Sequence, residues 1–135
     1  MIMAQLRYSM TGLAVHYDVD RHAGKLTRSG EPYRGDALTC AVDAGVYQDL
    51  AGSWLLVMAD NGRWLPLRVN DSGYLTAAGC FAWSAEKGYY VPDPEGLPVM
   101  VDVPEQTFYR LSPDGETIAV WIFLLEHGNV RVPAL

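Results

Sequence analysis

Ser53-Trp-Leu-Leu-Val-Met-Ala-Asp-Asn-Gly-Arg-Trp-Leu-Pro-Leu-Arg-Val-Asn-Asp-Ser-Gly73 carries the pattern that decides the architecture of this chain. Ser53–Ala59 and Arg63–Asn70 are two β-rich runs joined by Asp60-Asn61-Gly62. Asn-Gly between two such runs predicts a hairpin, because both residues tolerate a positive φ. Pro66 has no amide hydrogen to give to a ladder, so it is expected at an edge or a bulge.

Working outward, residues 12–17 (Gly-Leu-Ala-Val-His-Tyr) read as a strand. Residues 18–35 are polar, carry Gly24, Gly30, Pro32 and Gly35, and read as a long loop. Ala37 to Val42 reads as a short buried strand, and Val46 to Leu50 as a helical turn. Residues 72–97, rich in Gly, Pro and aromatics, read as a long inserted loop. Pro98 to Val101 is a predicted strand. Pro104 to Leu111 is a predicted short helix, with Pro104 at the first position, Glu105 at the positive end, and Phe108 and Leu111 forming an apolar stripe. Asp102 is placed to cap that helix. Ser112-Pro-Asp-Gly115 is a turn. Thr117 to Leu125 is a long apolar strand expected at the centre of a sheet, and 127–135 is a polar tail. Many short strands, one short helix and long loops predict a mainly β fold, a small barrel.

The chain has 135 residues, the size of one ordinary domain, and half of them are apolar. Residues 1–135 are read as a single domain, with the barrel at about 12–126. With 16 acids against 10 bases, the formal charge is −6, and no run of Lys or Arg occurs. That argues against nucleic-acid binding through a basic patch. No stretch approaches the ~20 apolar residues of a membrane span. The first eight residues lack the apolar run and cleavage site of a secretory leader. Synthesis in the cytoplasm is therefore the expectation. Cys40 and Cys80 fit no zinc spacing; one disulfide is possible, and two buried free thiols are the expectation. His16 and His22 are not spaced as metal ligands, no G-x-S-x-G elbow is present, and no metal or cofactor is expected. The 8 Tyr and 4 Trp suit either a core or stacking on sugar rings.

Two carboxylates stand out by position. Asp71 follows Leu67-Arg-Val-Asn70 and Asp102 follows Val99-Met-Val101. A carboxylate that follows a buried strand tends to lie at a barrel rim, where partial desolvation raises its pKa. The plain alternative is that Asp71 starts a turn and Asp102 caps a helix.

Several segments, in order, resemble the rare-lipoprotein-A and expansin type of double-psi β-barrel. Ala14-Val-His-Tyr-Asp18 is similar to the family's "A-S-Y-Y" strand. Lys25-Leu-Thr-Arg-Ser-Gly-Glu-Pro-Tyr33 and Asp36-Ala-Leu-Thr-Cys-Ala-Val42 resemble "T-A-S-G-E" followed by "A-L-T-A-A-H". Arg68-Val-Asn-Asp-Ser-Gly73 resembles "R-I-N-D-R-G-P", and Val101-Asp-Val-Pro-Glu-Gln-Thr-Phe108 resembles "I-D-L-S" with its helix. Ala119 to Glu126 falls where the family's last barrel strand lies. The resemblance covers about residues 14–126 and implies a six-stranded double-psi barrel with one short helix and an aromatic-rich insertion at about 72–97. The family's histidine falls on Val42, its second arginine on Ser72 and its proline on Tyr74.

The resemblance further implies that Asp71 and Asp102 face one groove on a cell-wall polysaccharide, with Asp71 as general acid. In lytic transglycosylases of this type the sugar's own 6-hydroxyl attacks the anomeric carbon, so no external nucleophile is needed. Tyr17, Asp43, Tyr74, Trp83 and Tyr89 are the substrate-binding candidates. The implied partner is peptidoglycan. The alternatives are a glycan-binding module without turnover, and a structural virion component, tail- or capsid-associated, that contacts other virion subunits in an oligomer.

Overall fold

The computed structural model describes residues 9–18, 22, 24–75, 81–84, 89–92 and 97–125. In chain order the elements are β1 (Ser9–Tyr17), β2 (Thr39–Asp43), α1 (Tyr47–Leu50), β3 (Trp54–Ala59), β4 (Trp64–Gly73), β5 (Phe81–Ser84), β6 (Tyr89–Pro92), β7 (Val99–Pro104), α2 (Glu105–Leu111) and β8 (Ile118–Leu124). Six strands close into a barrel in the order β1-β7-β2-β4-β3-β8, and β5 and β6 form a separate ribbon. The predicted mainly β barrel is therefore the observed one. Among the described residues no helix is long and apolar enough to cross a membrane.

Alternation of inward and outward side chains builds the core. Leu55, Val57 and Ala59 of β3, Leu65, Leu67 and Val69 of β4, and Val101 and Val103 of β7 all point inward and are buried. Phe108 and Leu111 of α2 are fully buried in the same cluster. Each inward side chain recurs every second residue, so one face of each strand is removed from water while the backbone groups stay in ladders.

The topology has an internal two-fold logic. β1 runs parallel to β7, and β2 runs parallel to β4. Each parallel pair carries one register shift, at Leu13/Ala14 and at Cys40/Ala41. The other pairings are antiparallel. Exchanging β1 with β4, β2 with β7 and β3 with β8 reproduces the whole ring, and it places α1 and α2 in equivalent connections. Parallel partners need long crossovers, and here α1 and β3 lie between β2 and β4.

Gly12 shows how closely β1 lies on β7. A Cβ there would fall on Met100 Cγ and 2.8 Å from the Pro98 carbonyl oxygen. Gly12→Ala is expected to destabilise the barrel by about 2–3 kcal/mol in urea unfolding. Adding Met100→Ala should recover only part of this, because the Pro98 backbone cannot be trimmed. Full recovery in the double variant would show that the side chain alone set the constraint.

Four local expectations change. The hairpin forms as predicted, but Gly62 alone takes a positive φ, and Ala59 N–H bonds the Arg63 carbonyl across a three-residue loop. Asn61 instead accepts from Arg63 N–H and donates its side-chain amide to the Leu111 carbonyl, pinning the hairpin to α2. Pro66 is not at a sheet edge: it pairs with Leu56 of β3 in a closed barrel, at a height where β2 has not yet joined β4. The predicted strand 98–101 runs on to Pro104, so Asp102 lies inside β7 and does not cap α2, whose N-cap is Pro104 without a side-chain bond. The inserted loop contains the β5–β6 ribbon. Cys40 is a buried free thiol, whereas Cys80 and the 127–135 tail lie outside the described residues.

Candidate functional site

Ala41 of β2 is the Cα partner of Asp71 on β4 and of Asp102 on β7. Val101 and Val103 point into the core, so Asp102 between them points out. Directly paired residues project to the same face. The row Asp71–Ala41–Asp102 therefore crosses three adjacent strands on the outside of the barrel. Two strand spacings put the two aspartate Cα atoms roughly 10 Å apart, with a methyl group between them. The two-fold maps Asp71 onto Val15 and Asp102 onto Ala41. The row Val15–Asp102–Ala41–Asp71 therefore maps onto itself, and each aspartate is related to an apolar residue of the same row.

The two acids have different surroundings. Asp71 accepts at both oxygens: Oδ1 takes the Arg28 amide at 2.9 Å and Oδ2 takes the Tyr33 hydroxyl at 2.6 Å. Two donors aimed at one group suit a carboxylate acting as acceptor. Asp102 has a buried Oδ1 without any hydrogen-bond partner, while its side chain as a whole is half-buried. Burial, then the charge of Asp71, push its carboxyl from an ordinary 3.8 up to about 7, against the opposing effect of the Val103 amide. Near neutral pH this group holds its proton half of the time.

A strap from the β1–β2 loop sets Asp71 in place. Thr27 N–H bonds the Glu31 carbonyl, and Ser29 N–H bonds the Asn70 carbonyl at 3.0 Å. Glu31 receives both Arg68 η-nitrogens, at 2.7 and 2.6 Å. That paired guanidinium holds the Glu31 carboxyl below its ordinary range. Farther along, the Thr107 hydroxyl donates to the Ala37 carbonyl at 2.6 Å, tying the loop to α2. The chain closes tightly here because Gly30 takes a positive φ of 90°, with its amide on the Thr27 carbonyl.

Aromatic rings border the pair. His22 stacks on Tyr33 at 4.4 Å, and Tyr17 meets both edge-on, at 5.7 and 5.8 Å. Burial, and then the hydrogen bond to Asp71, push Tyr33 up to about 12. Burial, followed by the charges of Asp102 and Asp71, also pushes Tyr17 up. Both phenols therefore stay protonated donors. The Arg28 guanidinium lies 4.3 Å from the centre of the Tyr47 ring and donates to the Ser72 hydroxyl at 3.1 Å.

Of the candidates read from sequence, Asp71, Asp102 and Tyr17 come together. Asp43 lies two residues beyond Ala41 on the same face, and its Oδ2 accepts the Gly45 amide in a turn. Tyr74 is 81% exposed immediately after β4. Trp83 and Tyr89 are on the β5–β6 ribbon, with side chains outside the described residues. Val42, where the family motif has histidine, is packed in the core. Sequence reading missed Arg28, Tyr33 and His22. The first two belong to the Lys25–Tyr33 stretch already matched to a motif, which was the available signal. Among the described residues no three His, Cys, Asp or Glu side chains gather as metal ligands. A separate cavity of about 350 Å³ lies at the opposite end of β4, beside Asp60, Asn61 and Asp114. There Asp114 already accepts from Ser112 Oγ and the Glu116 amide in a local turn.

No family model matches the chain, and no curated protein does. Solved structures do. The apo expansin of Clavibacter michiganensis superposes with a TM-score of 0.54 at 19% identity, covering 94% of this chain and 52% of that one. An aspartate-to-asparagine variant of the Clavibacter michiganensis expansin, in complex with cellohexaose, gives a TM-score of 0.51 at 18% identity with the same coverage. The chain thus spans about half the length of these structures. The shared fold is the double-psi β-barrel, in a divergent form.

Proposed function

We propose that this barrel acts on a cell-wall polysaccharide, seating a glycan strand over Ala41 between Asp71 and Asp102. The reading is carried by the unlike pair itself: a carboxylate that accepts from Tyr33 and Arg28, and, two strand spacings away, a carboxyl that is partly protonated near neutrality. Environments that push two acids apart assign the acid and the base. In this reading Asp102, rather than Asp71, is the proton donor. Asp102 gives its proton to the glycosidic oxygen as the bond to the anomeric carbon breaks. Asp71 takes the proton of the sugar's 6-hydroxyl as that oxygen closes the anhydro ring, and solvent returns the proton from Asp71 to Asp102. Both residues keep part of their surface in water.

Incubation with purified peptidoglycan is expected to release soluble anhydro-sugar fragments. Asp71→Asn and Asp102→Asn should each lower the rate roughly a hundredfold or more, the usual worth of a general acid or base. Release that persists in both variants would end the roles given to the two acids, and no release by the unmodified chain would end the proposal of cleavage. Retention of a glycan without cleavage is the second reading. It is favoured by Val42 at the motif's histidine position and by the cellohexaose complex of a barrel with this fold. It predicts pull-down on wall sacculi that survives Asp102→Asn, with no fragments from the unmodified chain.

A further inference from the structure

β3 lies opposite β7 in the closed ring, so its outer face is across the barrel from Asp102. Leu55 and Val57 of β3, Leu65 and Leu67 of β4, and Val120 and Ile122 of β8 are buried inward, so the residues alternating with them face out. The pairings set those residues in rows. One row runs Trp64–Met58–Trp121 over β4, β3 and β8, and the next runs Pro66–Leu56–Phe123. None of these side chains carries a charge. Trp64 is 38% exposed and Trp121 46%. Single exposed apolar residues are ordinary, but a contiguous patch marks an interaction surface.

We infer that this face pairs with a second copy of the same chain, about a two-fold axis that lies in the contact plane along β3. Such an axis sets Met58 against the partner's Met58, and Leu56 against the partner's Leu56. It sets Trp64 against the partner's Trp121, and Pro66 against the partner's Phe123. Each row thus meets its own rotated image, apolar against apolar, as an isologous contact requires. A different protein would be selected by complementary charge, which these rows do not offer. Two chains of formal charge −6 repel each other, and an uncharged face is where they can meet. The border is polar, as an interface rim is, with Arg68 and Glu31 at one end and Asp60 and Arg63 at the other. Three strands and two rows give a footprint on the order of 300 Å², against roughly 800 Å² per partner in a standard interface. The pair is therefore weak and concentration-dependent, anchored by its tryptophans. Both acid rows face away from the contact.

Sedimentation equilibrium of the full chain, from about 10 µM to about 1 mM, should show the average mass climbing from one chain toward two. Trp64→Glu and Trp121→Lys should each weaken association at least about tenfold, the loss of an anchor. Mixing the two variants should restore it, because the axis puts the new acid against the new base. Both positions are exposed, and thermal melts establish that the variants fold. A single-chain mass at every concentration, association undiminished in both variants, or no recovery in the mixture would overturn the inference. A chain that stays single while Trp64→Ala and Trp121→Ala loosen its hold on insoluble glycan would overturn it equally, and assign the face to a sugar surface.

Discussion

Asp102→Asn is expected to stabilise the barrel at pH 8 while removing the proposed action on glycan. The folded state holds the Asp102 proton to about pH 7, against 3.8 for the ordinary carboxyl. Below pH 3.8 both states are protonated and the group costs nothing. Between those values the unfolded chain releases the proton and the folded one keeps it, so stability falls as pH rises. Above pH 7 the penalty is constant. At 1.36 kcal/mol per unit, a gap of about three units corresponds to roughly 2–4 kcal/mol, the lower figure allowing for the residue's partial contact with water. Asparagine is never ionised, so the variant should gain over the parent from pH 4 to 7 and then run parallel. Urea unfolding across pH 3–9 reads this directly. Superimposable curves would mean that Asp102 ionises freely in the folded state, and its role as donor would fall with it. A gain in stability together with a loss of the proposed activity would mark Asp102 as held for function at a cost to the fold.

Phe108→Ala is expected to cost about 3–5 kcal/mol, the usual loss for an aromatic ring removed from a closed core. The ring is fully buried in the main cluster, 5.1 Å from that of His16. Its consequence reaches the groove. One residue earlier, Thr107 bonds Ala37 and Gly35 on the loop that carries Arg28 and Tyr33, and α2 begins where β7 ends. A loosened α2 should release that loop before the barrel itself opens. Hydrogen exchange of the Thr27, Ser29 and Gly30 amides should quicken more than that of Val57 or Val69. A loss below about 1 kcal/mol, or uniform quickening, would show that α2 is not the anchor of the strap.

The site was only partly legible because its parts belong to different ranges of interaction. Asp71 and Asp102 were found through motif resemblance, each at the end of an apolar run. The resemblance implied Asp71 as general acid, whereas the proposed reading makes Asp102 the donor. Nothing local says that Asp71 meets the Tyr33 hydroxyl or that Asp102 leaves an oxygen without a partner. Reading Asp102 as a cap followed from Pro104 alone, whereas β7 extends through Val103 because its inward valines find the core.

By itself the chain determined its hairpin, its short helix and most of its strands. Period-two alternation, Asn61-Gly62 and the Phe108–Leu111 stripe act within a few residues, and local propensity is written locally. Closure into β1-β7-β2-β4-β3-β8 was settled only in three dimensions, through parallel pairings between distant strands. That closure brings Asp71, Ala41 and Asp102 into one row and lays Arg28 on Ser72. Such contacts depend on which strands become neighbours, a choice made by burying every inward face at once rather than by any one segment.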